Sequence, residues 1–229
     1  MAASWAMNAV KHPRTPHLPW SPGFSGDDIR LADASWLCGT EVIVTEKMDG
    51  ENTSLYGCPS GYHARSLDSR HHPSQSWCKH LHSLIWKDIP AGWRVCSENL
   101  FAKHSIHYIS LPSYFLMFSI WNDKNECLSY DETVEWAELL GLSMVPLIWR
   151  GQWPHTGSKV DKAPTAAELI KSLEPKDTSL HEGYVVRRAS KFSFSEFATS
   201  MAKWVRPGHV QTDEHWKEQA IVPNGITAI

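Results

Sequence analysis

The chain has no paired-cysteine motif, no long apolar run and no excess of basic charge. Its five cysteines, Cys38, Cys58, Cys78, Cys96 and Cys127, stand singly without a C-x-x-C spacing. That excludes a zinc ribbon or a disulfide framework and predicts free thiols in a reducing compartment. No apolar stretch is long enough to cross a bilayer, and no hydrophobic segment of signal-peptide type opens the chain. A cytoplasmic protein with no membrane partner is the expectation. Lys and Arg number 22 against 25 Asp and Glu, a formal charge of −3. A broadly basic coat is thereby excluded, and any nucleic-acid contact has to come from local clusters. Repeats and low-complexity tracts are absent too.

Histidines are present, but not in a pattern that holds metal. His80 and His82 lie two apart and point in different directions on a helix, and His104 and His107 have no carboxylate or cysteine set to complete a site. No structural metal is expected. The 12 tryptophans among 229 residues are read mainly as packing groups, with a few available to stack on bases.

Along the chain, the proline-rich residues 11–23 predict an extended surface arm tied down by Leu18 and Trp20, with Arg14 and His17 in reach of a phosphate. Residues 41–45, a β-branched run, predict a buried strand that delivers Lys47 to a tight turn at Asp49-Gly50. Residues 53–57 and 61–65 read as a hairpin around Pro59-Ser60-Gly61. Trp77, Leu81, Leu84 and Ile85 give residues 74–86 one apolar helical face. A helix over 131–140 is expected to be capped by Asp131 and ended by Gly141, and Thr165 with Glu168 forms a capping-box pattern before Leu169, Ile170 and Leu173. Residues 151–164 read as loop. The polar residues 209–216 fit either contact with an RNA end or packing as a terminal strand.

The candidate chemistry starts at Lys47-Met48-Asp49-Gly50-Glu51-Asn52. Alone, K-x-D-G is common in solvated turns. A lysine amine is also a nucleophile that makes a phosphoramidate with a nucleotide, provided its pKa, about 10.4 when free, is brought down. Four further segments follow in order: Ser97-Glu98-Asn99, the apolar Tyr114-Phe115-Leu116-Met117-Phe118-Ser119-Ile120, His181-Glu182-Gly183-Tyr184, and Met201-Ala202-Lys203-Trp204-Val205-Arg206. Together with Lys47 they resemble the covalent nucleotidyltransferase superfamily of ATP-dependent ligases and mRNA capping enzymes. Within it the chain is most similar to the RNA ligases of the RNA-repair branch. Asn52 stands where DNA ligases and capping enzymes usually carry arginine, and only 229 − 206 = 23 residues follow Arg206, too few for the OB-fold those enzymes append. The resemblance runs from about residue 39 to 206.

The resemblance implies an α+β fold, a nucleotidyltransferase (adenylyltransferase) domain of antiparallel β-sheets flanked by helices without an OB-fold domain. The division is an arm at 1–38, a core at 39–206 and a tail at 207–229. The implied activity is ATP-dependent sealing of 5′-phosphate and 3′-hydroxyl RNA ends through lysyl-AMP and RNA-adenylate. Lys47 would be the nucleophile, with Glu182 and Lys203 as the other catalytic groups. Glu182 would also bind Mg2+, directly or through water. Glu46, Asp49, Gly50, Asn52, Arg65, Glu98, Phe118, Lys203 and Arg206 would form the nucleotide site, Glu98 on the ribose and Phe118 on the adenine, with Arg70 a competitor to Arg65. The family's last motif commonly has two lysines one residue apart, so either Arg206 supplies the second charge or phosphate contact differs here. RNA ends and ATP are the implied partners, with an accessory protein or RNA-binding subunit as a further one. A DNA ligase, a capping-type enzyme and a non-catalytic RNA-end-binding module are the alternatives.

Overall fold

A computed structural model describes residues 9–64, 71–155, 165–208 and 220–227. Its frame is two sheets. The first is four-stranded and antiparallel, in the order β11-β9-β1-β8, from β1 (Glu41–Lys47), β8 (Leu147–Gln152), β9 (Gly183–Arg188) and β11 (Met201–Val205). The second has seven strands: β2 (Glu51–Tyr56), β3 (Tyr62–Ala64), β4 (Arg94–Asn99), β5 (Phe115–Trp121), β6 (Glu126–Cys127), β7 (Ser143–Met144) and β10 (Phe192–Ser193). β1 passes directly into β2 through the Lys47 turn, so the motif is where the chain crosses from one sheet to the other.

Period-two alternation sorts the side chains into layers. Val42 and Val44 of β1, Tyr184 and Val186 of β9, and Ala202 and Trp204 of β11 form a core with Leu169 and Leu173 of helix α3 (Ala166–Leu173) and with Leu18 and Leu37 from the N-terminal segment. The other face of the first sheet meets the second: Met201 and Val185 pack with Cys96, Phe118, Trp121, Cys127 and Phe192. The far side of the second sheet, with Leu55, Val95, Phe115, Met117 and Ile120, is covered by Cys78 of α1 (Ser76–Ile85) and Ala137 of α2 (Tyr130–Leu139). Among the described residues no helix is long and apolar enough to cross a membrane.

Several local expectations change. The sheets are not wholly antiparallel, because β7 runs parallel to β5; a parallel neighbour needs a crossover, and α2 supplies it. Ser129, not Asp131, caps α2, forming a capping box with Glu132, while Asp131 lies in the first turn and pairs with Arg150. α1 starts later than expected, after a 3-10 turn at Pro73–Gln75. The Thr165–Glu168 box is formed as expected. β2 begins at Glu51, two residues before the expected strand at 53–57, so Asn52 is a strand residue.

The N-terminal segment is stitched to the edge of the first sheet. Lys203 N donates to Pro16 O at 2.8 Å, Leu18 N to Lys203 O at 2.8 Å and Gly23 N to Val205 O at 2.9 Å. Residues 220–227 return to the 100–111 loop: Lys103 N donates to Val222 O, Asn224 N to Phe101 O and Gly225 N to Tyr108 O. Asn224 is 3 % exposed; its Nδ2 donates to Leu100 O and Ala102 O, and its Oδ1 accepts from Tyr108 N.

Candidate active site

Alternation along β1 turns Lys47 toward the second sheet, on the same side as Thr45. Register then aligns its neighbours: Lys47 lies opposite Gly183, which lies opposite Val205, and one row up Thr45 lies opposite Val185, which faces Lys203. Lys47 and Lys203 therefore share one face of the first sheet, two strands apart. From the second sheet, Asn52 and Glu98 are directly opposed across β2 and β4 and share a face. Phe118 is the residue skipped where the β4–β5 register shifts, since Ser97 faces Met117 and Cys96 faces Ser119. A bulge re-aims its residue. Phe118 is the one position of β5 not fully buried, and the His12 ring meets it edge-on at 5.5 Å.

Glu182 closes this group. It is completely buried, and its Oε2 lies 2.5 Å from Lys47 Nζ, whose side chain is 23 % exposed. Gly183 makes that placement possible. Its φ of +156° is one that side-chain-bearing residues rarely adopt, and a Cβ there would lie 2.0 Å from Trp204 O. The unusual backbone interrupts alternation just before β9 and brings Glu182 to the Lys47 side. Gly50 acts by close approach, not by a special conformation: a Cβ would sit 2.4 Å from Asn99 O. The bare backbone lets Gly50 N donate to Glu98 Oε1 at 3.2 Å.

The electrostatics correct one expectation. Burial is the largest influence on Lys47 and acts to lower its pKa, but the charges of Glu182, Glu98 and Asp49 prevail and raise it above the ordinary lysine value. The anticipated depression is absent because carboxylates, not cations, dominate the amine's surroundings. Glu98 shows the other side of the balance. Burial, opposed by Lys47 and reinforced by Glu182 and Asp49, pushes its carboxyl up to about 8. Lys203 is lowered, first by burial and then by Lys47.

Asp49 does more than shape a turn. It is 5 % exposed, and its Oδ2 accepts from Ser105 N, Ser105 Oγ and Ile106 N at 2.7–2.8 Å, while its own N–H donates to Tyr108 Oη at 3.0 Å. Arg206 joins the same network: its Nη2 donates to Ser105 Oγ at 3.1 Å and its backbone N–H to Glu182 O at 2.9 Å. Lys47, Asp49, Gly50, Asn52, Glu98, Phe118, Glu182, Lys203 and Arg206 thus gather around the seam between the sheets. Glu46 does not converge with them, because alternation turns it from Lys47 and its Oε1 pairs with His181 Nδ1 at 2.7 Å. Arg65 and Arg70 lie outside the described residues, as do 209–216.

In the arm, Arg14 Nη1 donates to Asp27 O. His17 is fully buried against Ser21 and Asp28, and burial, then Lys203, hold its pKa down to about 4. A neutral, enclosed imidazole offers no charge to a phosphate, which corrects that expectation for His17. Sequence reading missed Asp28, Ser105, Tyr108 and Asn224, none of which belongs to a recognisable spacing.

The model of the family described as RNA ligase matches residues 40–205. No curated protein sequence matches the chain. Among solved structures, the RNA ligase of Naegleria gruberi with PPi is 17 % identical with a TM-score of 0.51, over 75 % of this chain and 51 % of that one. A mutant of that enzyme with ATP and Mn is 14 % identical with a TM-score of 0.51, over 85 % and 59 %. Another mutant with ATP and Mn is 16 % identical with a TM-score of 0.50, over 75 % and 51 %. At these identities the likeness is one of fold, and the chain spans little more than half the length of these solved relatives.

Proposed function

The chain belongs to the RNA ligase family, and from that premise we propose that it is an ATP-dependent RNA ligase built on a nucleotidyltransferase domain, with Lys47 as its nucleophile. The observation that carries the reading is the pairing of the Lys47 amine with the buried Glu182 carboxylate, beside Lys203 and Glu98. In the first step the neutral amine of Lys47 attacks the α-phosphorus of ATP. A P–N bond forms, the bond from α-phosphorus to the bridging oxygen breaks, pyrophosphate leaves, and the amine's proton goes to solvent. AMP then passes to an RNA 5′-phosphate, and a 3′-hydroxyl displaces it to form the phosphodiester.

Each chain residue has a physical task. Lys203 places a cation where negative charge builds on the α-phosphate, Glu98 accepts hydrogen bonds from the ribose, Phe118 stacks on the adenine, and Arg206 and Asn52 border the phosphates. Arg65 remains the proposed contact to the nucleotide and RNA end. Among the described residues no three or more His, Cys, Asp or Glu side chains form a metal cage. Magnesium does not need one, being held by one or two carboxylates together with phosphates and water. Burial, reinforced by Glu182 and Asp49, pushes the Glu98 carboxyl up, and this gathering of acidic groups suits a divalent cation entering with a triphosphate, with Glu182 as the holding residue. Such an ion would offset triphosphate charge.

RNA affinity is proposed to be weak and salt-sensitive unless an accessory protein or RNA-binding unit assists, because a net charge of −3 supplies no general attraction to a polyanion. The test is incubation with Mg2+ and ATP labelled at the α-phosphate, beside GTP and Lys47→Ala. Label from ATP that survives denaturing electrophoresis and vanishes in the variant is expected. No label on protein free of pre-bound AMP would favour an RNA-end-binding module instead, and label retained by Lys47→Ala would remove Lys47 as the nucleophile.

A further inference from the structure

Outside the recognised motifs, one acidic group, Asp28, reaches into the site from the N-terminal segment with its side chain nearly enclosed. Asp28 Oδ1 lies 3.5 Å from Lys203 Nζ, and its Oδ2 lies 3.3 Å from His17 Nε2. Both its carboxylate and the Lys203 side chain are nearly enclosed, at 9 % and 12 % exposure, and His17 is wholly so. His17 is held in turn: its Nδ1 is 2.8 Å from Ser21 Oγ, and that hydroxyl also accepts Val205 N–H at 3.0 Å. Together with the backbone bonds from Pro16, Leu18 and Gly23, this fixes residues 16–28 on both sides of Lys203.

We propose that Asp28, held by His17 on the N-terminal segment, is a positioning residue for the proposed ligase reaction, aiming the Lys203 ammonium beside Lys47. The inference rests on the functional reading above. Lys203 faces Lys47 from β1, Glu182 from the turn before β9, and Asp28 and His17 from the N-terminal segment. Burial and Lys47 work against its charge, while Asp28 and Glu182 support it. Glu182 is already engaged by Lys47 at 2.5 Å, which leaves Asp28 as the carboxylate within direct reach of the Lys203 amine. His17, neutral because it is buried, steers the carboxylate without competing as a cation.

The test uses the full chain and follows single-turnover formation of lysyl-AMP from α-labelled ATP with Mg2+ between pH 6 and 10. With Mg2+ and ATP present, a cation offsetting Glu182 would lower the Lys47 pKa and the phosphates would raise that of Lys203, so the rate is expected to rise as Lys47 loses its proton and to fall as Lys203 loses its own. Asp28→Asn keeps the shape but removes the charge, so the alkaline limb is expected to move down by about one pH unit and the plateau to fall about tenfold. Asp28→Glu is expected to keep the wild-type limb. In a Lys203→Ala background Asp28→Asn should cost nothing further, because it acts through that lysine. An unmoved limb in Asp28→Asn, or an equal loss with and without Lys203, overturns the inference and leaves the functional reading intact. Should Asp28→Asn fail to fold, the Asp28→Glu profile decides, with a shifted alkaline limb refuting the proposal. A wild-type chain that takes no label overturns the functional reading and this inference with it.

Discussion

Glu182→Gln tests whether the Lys47–Glu182 pair exists before any nucleotide arrives. Glu182 is fully buried and Lys47 only 23 % exposed, so removing one partner leaves the other charge largely out of water. Breaking a fully buried pair costs about 3–5 kcal/mol. Here the partial exposure of Lys47 and the neighbouring Asp49 carboxylate reduce that, and we expect a loss of about 2 kcal/mol for Glu182→Gln. Lys47→Met takes the ammonium from a completely enclosed carboxylate and should cost more, about 3 kcal/mol. With both changes no unpaired charge is left, and the double variant should be little worse than the poorer single one, a coupling of about 2 kcal/mol. Urea unfolding at pH 7, read by circular dichroism with the slope checked for constancy, measures all four corners of the cycle. Losses that add to within about 0.5 kcal/mol would mean that the two side chains do not meet, and the central geometry of the site would be wrong.

Other consequences are open to direct measurement. Glu98 titrates near 4.5 when unfolded and near 8 when folded, so between those values the folded chain holds more protons and stability should fall as pH rises. His12 and His17, lowered from 6.5 to about 4, act in the opposite sense only below 6.5. A decline from pH 6.5 to 8 is therefore expected in the wild type, and thermal unfolding of Glu98→Gln should show a flatter dependence; parallel curves would refute the assignment. Gly50→Ala forces a Cβ to within 2.4 Å of Asn99 O, and should cost about 1–3 kcal/mol in urea unfolding and sharply slow lysyl-AMP formation. Asn224→Ala removes three hydrogen bonds at a 3 % exposed position, for which we expect a loss of about 1–3 kcal/mol and faster amide exchange across residues 100–111; unchanged exchange there would show that the return segment does not hold that loop.

Much of the site was legible because each recognised motif sits at a place that topology makes special. Lys47 ends β1 at the crossing between sheets, Glu98 lies near the end of β4, Glu182 immediately precedes β9, and Lys203 lies mid-strand in β11. Local patterns placed the Thr165 cap and the buried strand before Lys47 for the same reason: they depend on neighbours in sequence. The Ser129–Glu132 box has the same spacing as the Thr165–Glu168 one, but Asp131, two residues on, offers a competing cap. What escaped was set by long-range contact. Asp28 is 175 residues from Lys203, and Asn224 is 116 from Tyr108. No periodicity or spacing encodes such pairs; only the sheet edge and the returning terminus create them.

The reversed charge state of Lys47 was beyond sequence reading for a deeper reason, and it bears on how the site would work. The lysine proposed as the nucleophile is held as an ammonium chiefly by Glu182. Such an arrangement resolves a conflict: an unpaired Glu182 in a fully enclosed position would be strongly disfavoured, and an unpaired buried amine would lose its proton and its position together. While paired, each group fixes the other where it will be needed. Under the proposed reaction, Glu182 would hold a cation that offsets the carboxylate charge, and with that charge screened the Lys47 amine would lose its proton more readily. The pairing would then act as a gate on Lys47, opened by a charged ligand at Glu182.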